Sequence, residues 1–519
     1  MKILLFSPFT ALWKNSVLEK QLMFLLSKSG TQHDIATMRC GEVFDEYCIP
    51  REYLFRGLEQ KRKKQACRVC NVNNNILRFP QFSNVLFLRE YLTEIDYKEA
   101  ENFGEENYQR NPTQINHDGY PLGLISSYEL LLKFKKQDFN YSLEELNYFK
   151  INLKNVYLTY KAAIKYFENT KVELIFVTHP QYSVGGILSE VAIRMNIPVY
   201  YLGGSSSIPE TYQSLAIWKW NDFKSNPFFK SQIPVPAVAT RNMRERAENH
   251  FKSILSAESM WVYSSAKSSK STHEFFNIPP DRKVFLVAMN SRDEVFAQES
   301  LGIKSSMNLG DGVFSSQFEW LKFMLKFAKE NPTVHFIFRI HPREYPNKRE
   351  SVLSQNIEMY DSLFKIVPAN VSVDWPNFQF SIYDHFDEIN GLITGWSSVG
   401  LEAIFKGIPV VTYDSSLPPY TEAIHASGTS IIEFRRNLEL LLSDNLSANK
   451  ELMLDWFGKS VISASIRLGG TLNTRIQIKL IRRMYSKLHP RIQKWIDVIV
   501  PPLKIDKDRI KFFVPEIND

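Results

Sequence analysis

Short β-rich runs alternate with amphipathic stretches through the second half of the chain. The pattern predicts strands at Val284–Met289, Thr333–Ile340, Val371–Asp374, Gly391–Thr394 and Pro409–Tyr413. Helices are expected between them at about Ser315–Asn331, Asn347–Leu363, Tyr383–Ile389 and Ser398–Lys406. In the first of these, Phe318, Leu321, Leu325 and Ala328 recur at three- and four-residue spacing, which gives one apolar stripe to lie on a sheet. Strands that alternate with helices in this way predict a parallel sheet wrapped by helices, a Rossmann-like domain.

The first half opens alike, with a strand at Ile3–Phe6 and an amphipathic helix around Val17–Ser27. It closes alike at Leu174–Thr178, Gly186–Met195 and Pro198–Leu202. The stretch from about Cys40 to Gly119 fits neither pattern and reads as an insertion. Ser264–Pro280, rich in Ser, Lys and Pro, reads as the linker. The expected fold class is therefore α/β, with a domain over 1–270 (insertion about 40–119), a second over 281–470 and a helical tail over 471–519.

At 519 residues, 44% hydrophobic and 23% charged, the chain has the composition of a globular protein with room for two or three domains. The net charge of +7 is too mild for a dedicated nucleic-acid binder. Most of it sits in one place, since eleven Lys and Arg face three Asp between Arg475 and Lys511. No apolar run reaches the roughly 18 to 20 residues that cross a bilayer, and the opening Met-Lys-Ile-Leu-Leu-Phe-Ser-Pro lacks the apolar core of a secretory signal. A cytoplasmic protein is expected, and four cysteines in 519 residues agree with a reducing compartment.

Open parallel sheets bind ligands beyond the carboxyl ends of their strands, so the residues there are the candidates. His341-Pro-Arg343 follows the strand ending at Ile340, and Gly395-Trp-Ser397-Ser398 follows the one ending at Thr394. A strand that turns into a helix at Ser397/Ser398 offers unpaired N–H groups and two hydroxyls to a phosphate. Glu402, one turn in, is placed to accept ribose hydroxyls. Ser397 or Ser398 as a plain N-cap, with Glu402 in a salt bridge and His341 a structural turn histidine, is the alternative.

The segment from Asp384 to Val411, with Gly-Trp-Ser-Ser-Val-Gly-Leu-Glu-Ala and Lys-Gly-Ile-Pro, resembles the nucleotide-sugar segment of bacterial capsule and lipopolysaccharide glycosyltransferases of the GT-B fold. Arg339-Ile-His-Pro-Arg343 resembles the His-Pro motif of the capsule-polysaccharide group, which includes Kdo transferases and sialyltransferase-like enzymes that use CMP-sugars. Val177-Thr-His179-Pro-Gln-Tyr182 through Gly185-Gly186 to Glu190 and Ala192 is similar to a stretch of the same group, although Pro180 stands where Gly is expected. The resemblance implies two Rossmann-like domains facing a cleft and a glycosyltransferase with a nucleotide-sugar donor. A CMP-sugar is the first expectation, and the acceptor would be a capsule, O-antigen or lipid-linked glycan. His341, Arg343, Gly395, Ser397, Ser398 and Glu402 would hold the donor. The acceptor base would be His179, with Asp118 in Asn116-His-Asp-Gly-Tyr120 as its competitor and Glu190 as an orienting carboxylate. Gly185-Gly186 would leave room for the sugar. The only Asp-x-Asp, Asp506-Lys-Asp508, lies in the basic tail, so catalysis is expected to need no metal. Alternatives are a UDP-sugar enzyme, a glycerophosphotransferase using CDP-glycerol, and a non-catalytic subunit of a capsule assembly complex.

Two features stand apart. Cys40, Cys48, Cys67 and Cys70 include a chelating Cys-x-x-Cys pair that could close a structural zinc site, or remain free thiols. In the basic tail, Ile476, Leu480, Met484 and Leu488 line one helical face among cations. This reads either as a helix that packs back on the first domain or as an attachment to the anionic inner-membrane surface.

Overall fold

The structure is a computed structural model. It describes residues 1–11, 18–19, 21–23, 26, 33–44, 47–50, 65–76, 84–204, 207–210, 214–225, 237–256, 267, 270–303, 313–347, 350–376, 380–395, 397–413 and 424–467. The basic tail at 471–519 lies outside the described residues, whereas most of the expected linker is described and carries a short helix at Thr272–Phe275 capped by Ser271.

The first sheet contains β1 (Lys2–Phe6), β2 (Asp34–Arg39), β3 (Asn84–Phe87), β4 (Leu174–Val177), β5 (Val199–Gly204) and β6 (Ser214–Lys219), in the order β3-β2-β1-β4-β5-β6. β1 to β5 are parallel and β6 runs antiparallel to β5. Ile3 to Phe6 are buried on both faces, which is why this strand reads as an unbroken apolar run. On one side Ile3 and Leu5 meet Leu18, Leu22, Met23 and Leu26, the apolar positions of the expected first helix.

Part of the presumed insertion belongs to this sheet. α1 (Gln65–Ile76) is the crossover from β2, and β3 pairs in parallel with β2. A four-residue strand and an asparagine-rich helix give too weak a periodicity to be read from sequence. Three further helices, α2 (Glu94–Asn107), α3 (Leu122–Phe134) and α4 (Leu143–Asn169), precede β4, and α5 (Ser183–Arg194) links β4 to β5.

α6 (Arg241–Leu255) lies within the first domain as drawn from the sequence, yet Met243, Ala247, Phe251 and Ile254 pack into the second core, with the Phe251 ring 5.3 Å from that of Phe405. The second sheet holds β7 (Val284–Ala288), β8 (His335–Arg339), β9 (Val371–Asp374), β10 (Gly391–Thr394), β11 (Val410–Thr412) and β12 (Ala426–Ser427). All are parallel, in the order β9-β8-β7-β10-β11-β12. All five expected strands are present within one to two residues at either end.

Among the helices of this half, α7 (Asp293–Ser300) follows β7, and α8 (Gln317–Glu330) buries Trp320, Leu321, Met324, Phe327 and Ala328. Phe318 and Leu325 are only half-buried, so the stripe is turned from the expected one toward Trp320, whose ring lies 4.7 Å from that of Tyr413. The helix expected over Asn347–Leu363 is confined to α9 (Ile357–Leu363), and the described residues of 347–356 are not helical. α10 (Val399–Phe405), α11 (Ile431–Leu442) and α12 (Lys450–Phe457) complete the domain. The chain then returns to the first sheet, where β13 (Ile466–Arg467) pairs antiparallel with β6.

Two Rossmann-like domains, each a mostly parallel sheet with helices on its faces, thus form the α/β architecture expected of the GT-B layout.

Candidate functional site

In each sheet the connections diverge on either side of the first strand, after β1 and β4 in one and after β7 and β10 in the other. Diverging connections open a crevice at the carboxyl edge. In the second sheet Thr394 pairs with Ala288 and its hydroxyl donates to the Ala288 carbonyl at 3.0 Å, which closes the floor. Above it stand Asn290 to Asp293 from β7, His341 to Glu344 from β8, and Gly395, Ser397 and Ser398 from β10. The structure therefore brings the two expected donor clusters to one rim and adds a third.

That third cluster was missed in the sequence, although it directly follows a correctly placed strand. The rule that points to carboxyl ends would have found it. Asn290 is held by its backbone, its N–H donating to Gln317 Oε1 at 2.9 Å and its carbonyl accepting Gln317 Nε2 at 3.2 Å. Its side chain is 2% exposed, and neither amide atom has a hydrogen-bond partner among the described residues. A buried amide left so costs about 1–3 kcal/mol unless a ligand supplies the bonds. Gly395 fits against it, since a Cβ there would lie 2.8 Å from Asn290 Nδ2 and 2.3 Å from the Tyr413 ring. Arg292 is half-buried near Tyr413, Tyr360 and Glu344. No carboxylate among the described residues lies within ion-pair distance of it, and burial lowers its pKa.

His341 caps a short turn over Pro342–Glu344, its Nδ1 accepting the N–H of Arg343 at 3.2 Å. Burial first, then the positive charge of Arg343, pushes its pKa down to about 3. The ring is neutral, and with Nδ1 accepting, the proton is on Nε2. Arg343 differs from the expectation. It is 2% exposed and bonded to Asp293 at 2.7 Å, Glu350 at 2.8 Å and the Leu132 carbonyl at 2.8 Å, so its guanidinium is engaged inside the protein. Arg339 likewise turns inward, to Asp374 and the Phe380 carbonyl.

Ser397 Oγ accepts the N–H of Val399 at 3.3 Å, while Ser398 Oγ donates to Glu402 Oε1 at 3.1 Å. Glu402 is 5% exposed, and burial pushes its pKa up to about 7 while Ser398 and Tyr383 oppose the shift. Its carboxyl group thus faces hydroxyls of the protein, and no salt bridge to it forms among the described residues.

At the first sheet, His179 follows β4 and is half-buried, its ring 5.3 Å from that of Tyr182. Gly185 and Gly186 do not leave space for a sugar. They lie in the first turn of α5, and a Cβ on Gly185 would stand 2.3 Å from the His179 carbonyl oxygen. Their role is close packing of the helix on its turn. Glu129 of α3, unsuspected from the sequence, is buried beside them and accepts the Ser183 N–H at 3.2 Å. Burial pushes its pKa up to about 8. Glu190 pairs with Arg194 at 3.3 Å and Lys224 at 3.9 Å.

Asp118 is not brought near His179. With φ of 49° and 79°, Asp118 and Gly119 form a tight turn between His117 and Tyr120. Gly119 O accepts Arg194 Nη2 at 2.8 Å, at the end of α5 remote from His179. Twelve residues of helix at 1.5 Å each separate the two ends by roughly 18 Å.

The four cysteines do converge, lining a small cavity with Pro8, Phe9 and Arg39 at the carboxyl ends of β1 and β2. Among the described residues no three Cys, His, Asp or Glu are placed to hold one ion. Burial pushes the Cys40 thiol up to about 12 and raises that of Cys70. No helix among the described residues is long and apolar enough to cross a membrane.

No protein-family model matches the chain, and no curated protein does. Among solved structures it is similar to the Thermosulfurimonas dismutans KpsC β-Kdo 2,4 transferase, at 12% identity and a TM-score of 0.32 over 57% of this chain and 82% of that one. It is also similar to the UDP-GlcNAc 2-epimerase of Neisseria meningitidis bound to UDP-GlcNAc, at 13% identity and 0.32 over 93% and 100%. A third is S. aureus MnaA with UDP, at 10% identity and 0.30 over 96% and 98%. At these identities and scores the likenesses carry no function over to this chain, whose architecture stands on its own strand orders.

Proposed function

We propose that the protein is a glycosyltransferase that moves a sugar from a nucleotide donor to a surface-glycan acceptor, with the donor's phosphate in the crevice between β7 and β10. The observation that carries this reading is the unpartnered, buried Asn290 amide beside Arg292 and Gly395 at the switch point of a Rossmann-like sheet. A phosphate there would receive the guanidinium of Arg292, the amide of Asn290 and the Nε2–H of His341. These donors are aimed where negative charge grows as the nucleotide departs. His179, at the carboxyl edge of the other sheet, would take the proton from the acceptor hydroxyl.

The His-Pro and Ser-Ser motifs support a CMP-linked donor first, with UDP-sugars and CDP-glycerol as the rivals within the fold. The basic segment at 471–519 supports contact with an anionic membrane surface, where lipid-linked acceptors would lie. Calorimetric titration with CMP, UDP and GDP tests the site. Binding of one nucleotide that is lost in Arg292→Ala supports the reading, and binding of none contradicts it.

A further inference from the structure

The loop from His341 to Asn356, which carries part of the candidate donor site, is fastened by the opposite domain. Lys135 closes the C-terminus of α3 in the left-handed region, with φ of 53°, a conformation that favours glycine. A lysine there is unfavourable for the backbone, so its side chain must account for it. The side chain runs into the second domain, fully buried, and donates to the carbonyls of Tyr345 at 2.8 Å and Val352 at 2.6 Å. The same helix offers the Leu132 carbonyl to Arg343 at 2.8 Å, and Arg343 in turn holds Asp293, the first residue of α7. Tyr128 and Leu131 of α3 pack on Ala297 of α7, with the Phe139 ring 5.3 Å from that of Phe296. Two bonds from one ammonium thus hold the chain at Tyr345 and at Val352, and His341 lies four residues before the first of these points.

We infer that Lys135 is a positioning residue, which holds the His341 loop in its binding geometry only while α3 and α7 are in contact and so couples domain closure to nucleotide binding. The inference rests on the reading of the second-sheet crevice as a nucleotide site. Lys135 faces Arg343, Glu344 and Glu350 from the loop and Asp293 from α7, and burial lowers its pKa to about 8. Its ammonium is therefore present below that pH and lost above it.

The test uses Lys135→Met and Lys135→Gly in the full chain. Glycine suits the left-handed backbone, so Lys135→Gly separates a lost clasp from a failure to fold. Hydrogen–deuterium exchange in peptides over 341–356 should rise by about tenfold or more in both variants, the scale of losing hydrogen bonds to a buried charge, while peptides of β7 and β8 keep their protection. Nucleotide affinity should fall by about tenfold as well. In the wild type it should weaken as pH rises through about 8, a dependence both variants lack. Unchanged exchange over 341–356 in both variants would overturn the inference, as would raised exchange with undiminished affinity or a flat wild-type pH profile. The exchange experiment needs no ligand. It decides the clasp even if the wild type binds no nucleotide, an outcome that would instead overturn the reading of the crevice.

Discussion

The imidazole of His341 accepts, through Nδ1, the main-chain N–H of Arg343, two residues on, at 3.2 Å. The bond fixes the ring across the turn and leaves Nε2 as the protonated nitrogen. If His341 serves as a neutral donor to a departing phosphate, His341→Ala loses on the order of 10²-fold in turnover. Steady-state assays between pH 5 and 8 should show no rate change that disappears with His341, because its pKa is pushed to about 3.

The same burial bears on acid stability. His250 and His341 are lowered to about 3, and His335 and His425 to about 4, chiefly by desolvation. An unfolded histidine takes its proton near 6.5, so between that value and about 4 the unfolded chain binds more protons than the folded one. Stability contributed by these neutral rings is complete above about pH 6.5 and is lost as pH falls. Melting temperature measured from pH 7 to pH 4 should decline continuously, and a flat profile would count against neutral buried rings.

Asn290 gives a sharper contrast. Replacing a buried, unpartnered amide by a similarly sized apolar side chain removes a desolvation cost. Asn290→Leu should therefore melt no lower than the wild type while nucleotide affinity falls tenfold or more, about the loss of one hydrogen bond to a charged group. Gly395→Ala should lose both, since its Cβ meets the Tyr413 ring at 2.3 Å, and overpacking of this kind costs about 1–3 kcal/mol. A variant Asn290→Leu that melts lower and binds normally would make the amide a structural element.

Much of this site was legible because carboxyl ends of strands can be counted from apolar periodicity alone. The strands at 284, 335, 371, 391 and 410 announce themselves as short β-rich runs, and the polar residues after them follow. What stayed hidden depends on partners distant in the chain. Nothing local distinguishes Arg343, which meets Asp293 and Leu132, from Arg292, which meets no carboxylate among the described residues. Glu402 reads as a helix-face acid until Tyr383, nineteen positions earlier, is seen to donate to it. That part of the expected insertion joins the first sheet stayed hidden for a similar reason, since β3 becomes a strand only by pairing with β2.

The two candidate bases separate cleanly by position. His179→Ala should retain nucleotide binding and lose transfer by about 10²-fold or more, the range of a general base. Asp118→Ala should transfer at the wild-type rate, because the turn it occupies stands at the other end of α5, where it accepts the Tyr160 hydroxyl at 2.7 Å. Loss of transfer in Asp118→Ala alone, at saturating donor, would reverse the assignment.

The central claim is that the crevice between β7 and β10 holds a nucleotide-sugar whose sugar is transferred. Its most direct measurement is release of nucleotide from labelled CMP-, UDP- and GDP-sugars incubated with the protein and a glycan-acceptor extract, run in parallel with Arg292→Ala. The account predicts that one nucleotide class is released in step with label entering glycan, first of all CMP, and that Arg292→Ala reduces this by about 10²-fold, the scale for removing a preorganised donor. No release from any donor, or release undiminished in Arg292→Ala, would contradict it.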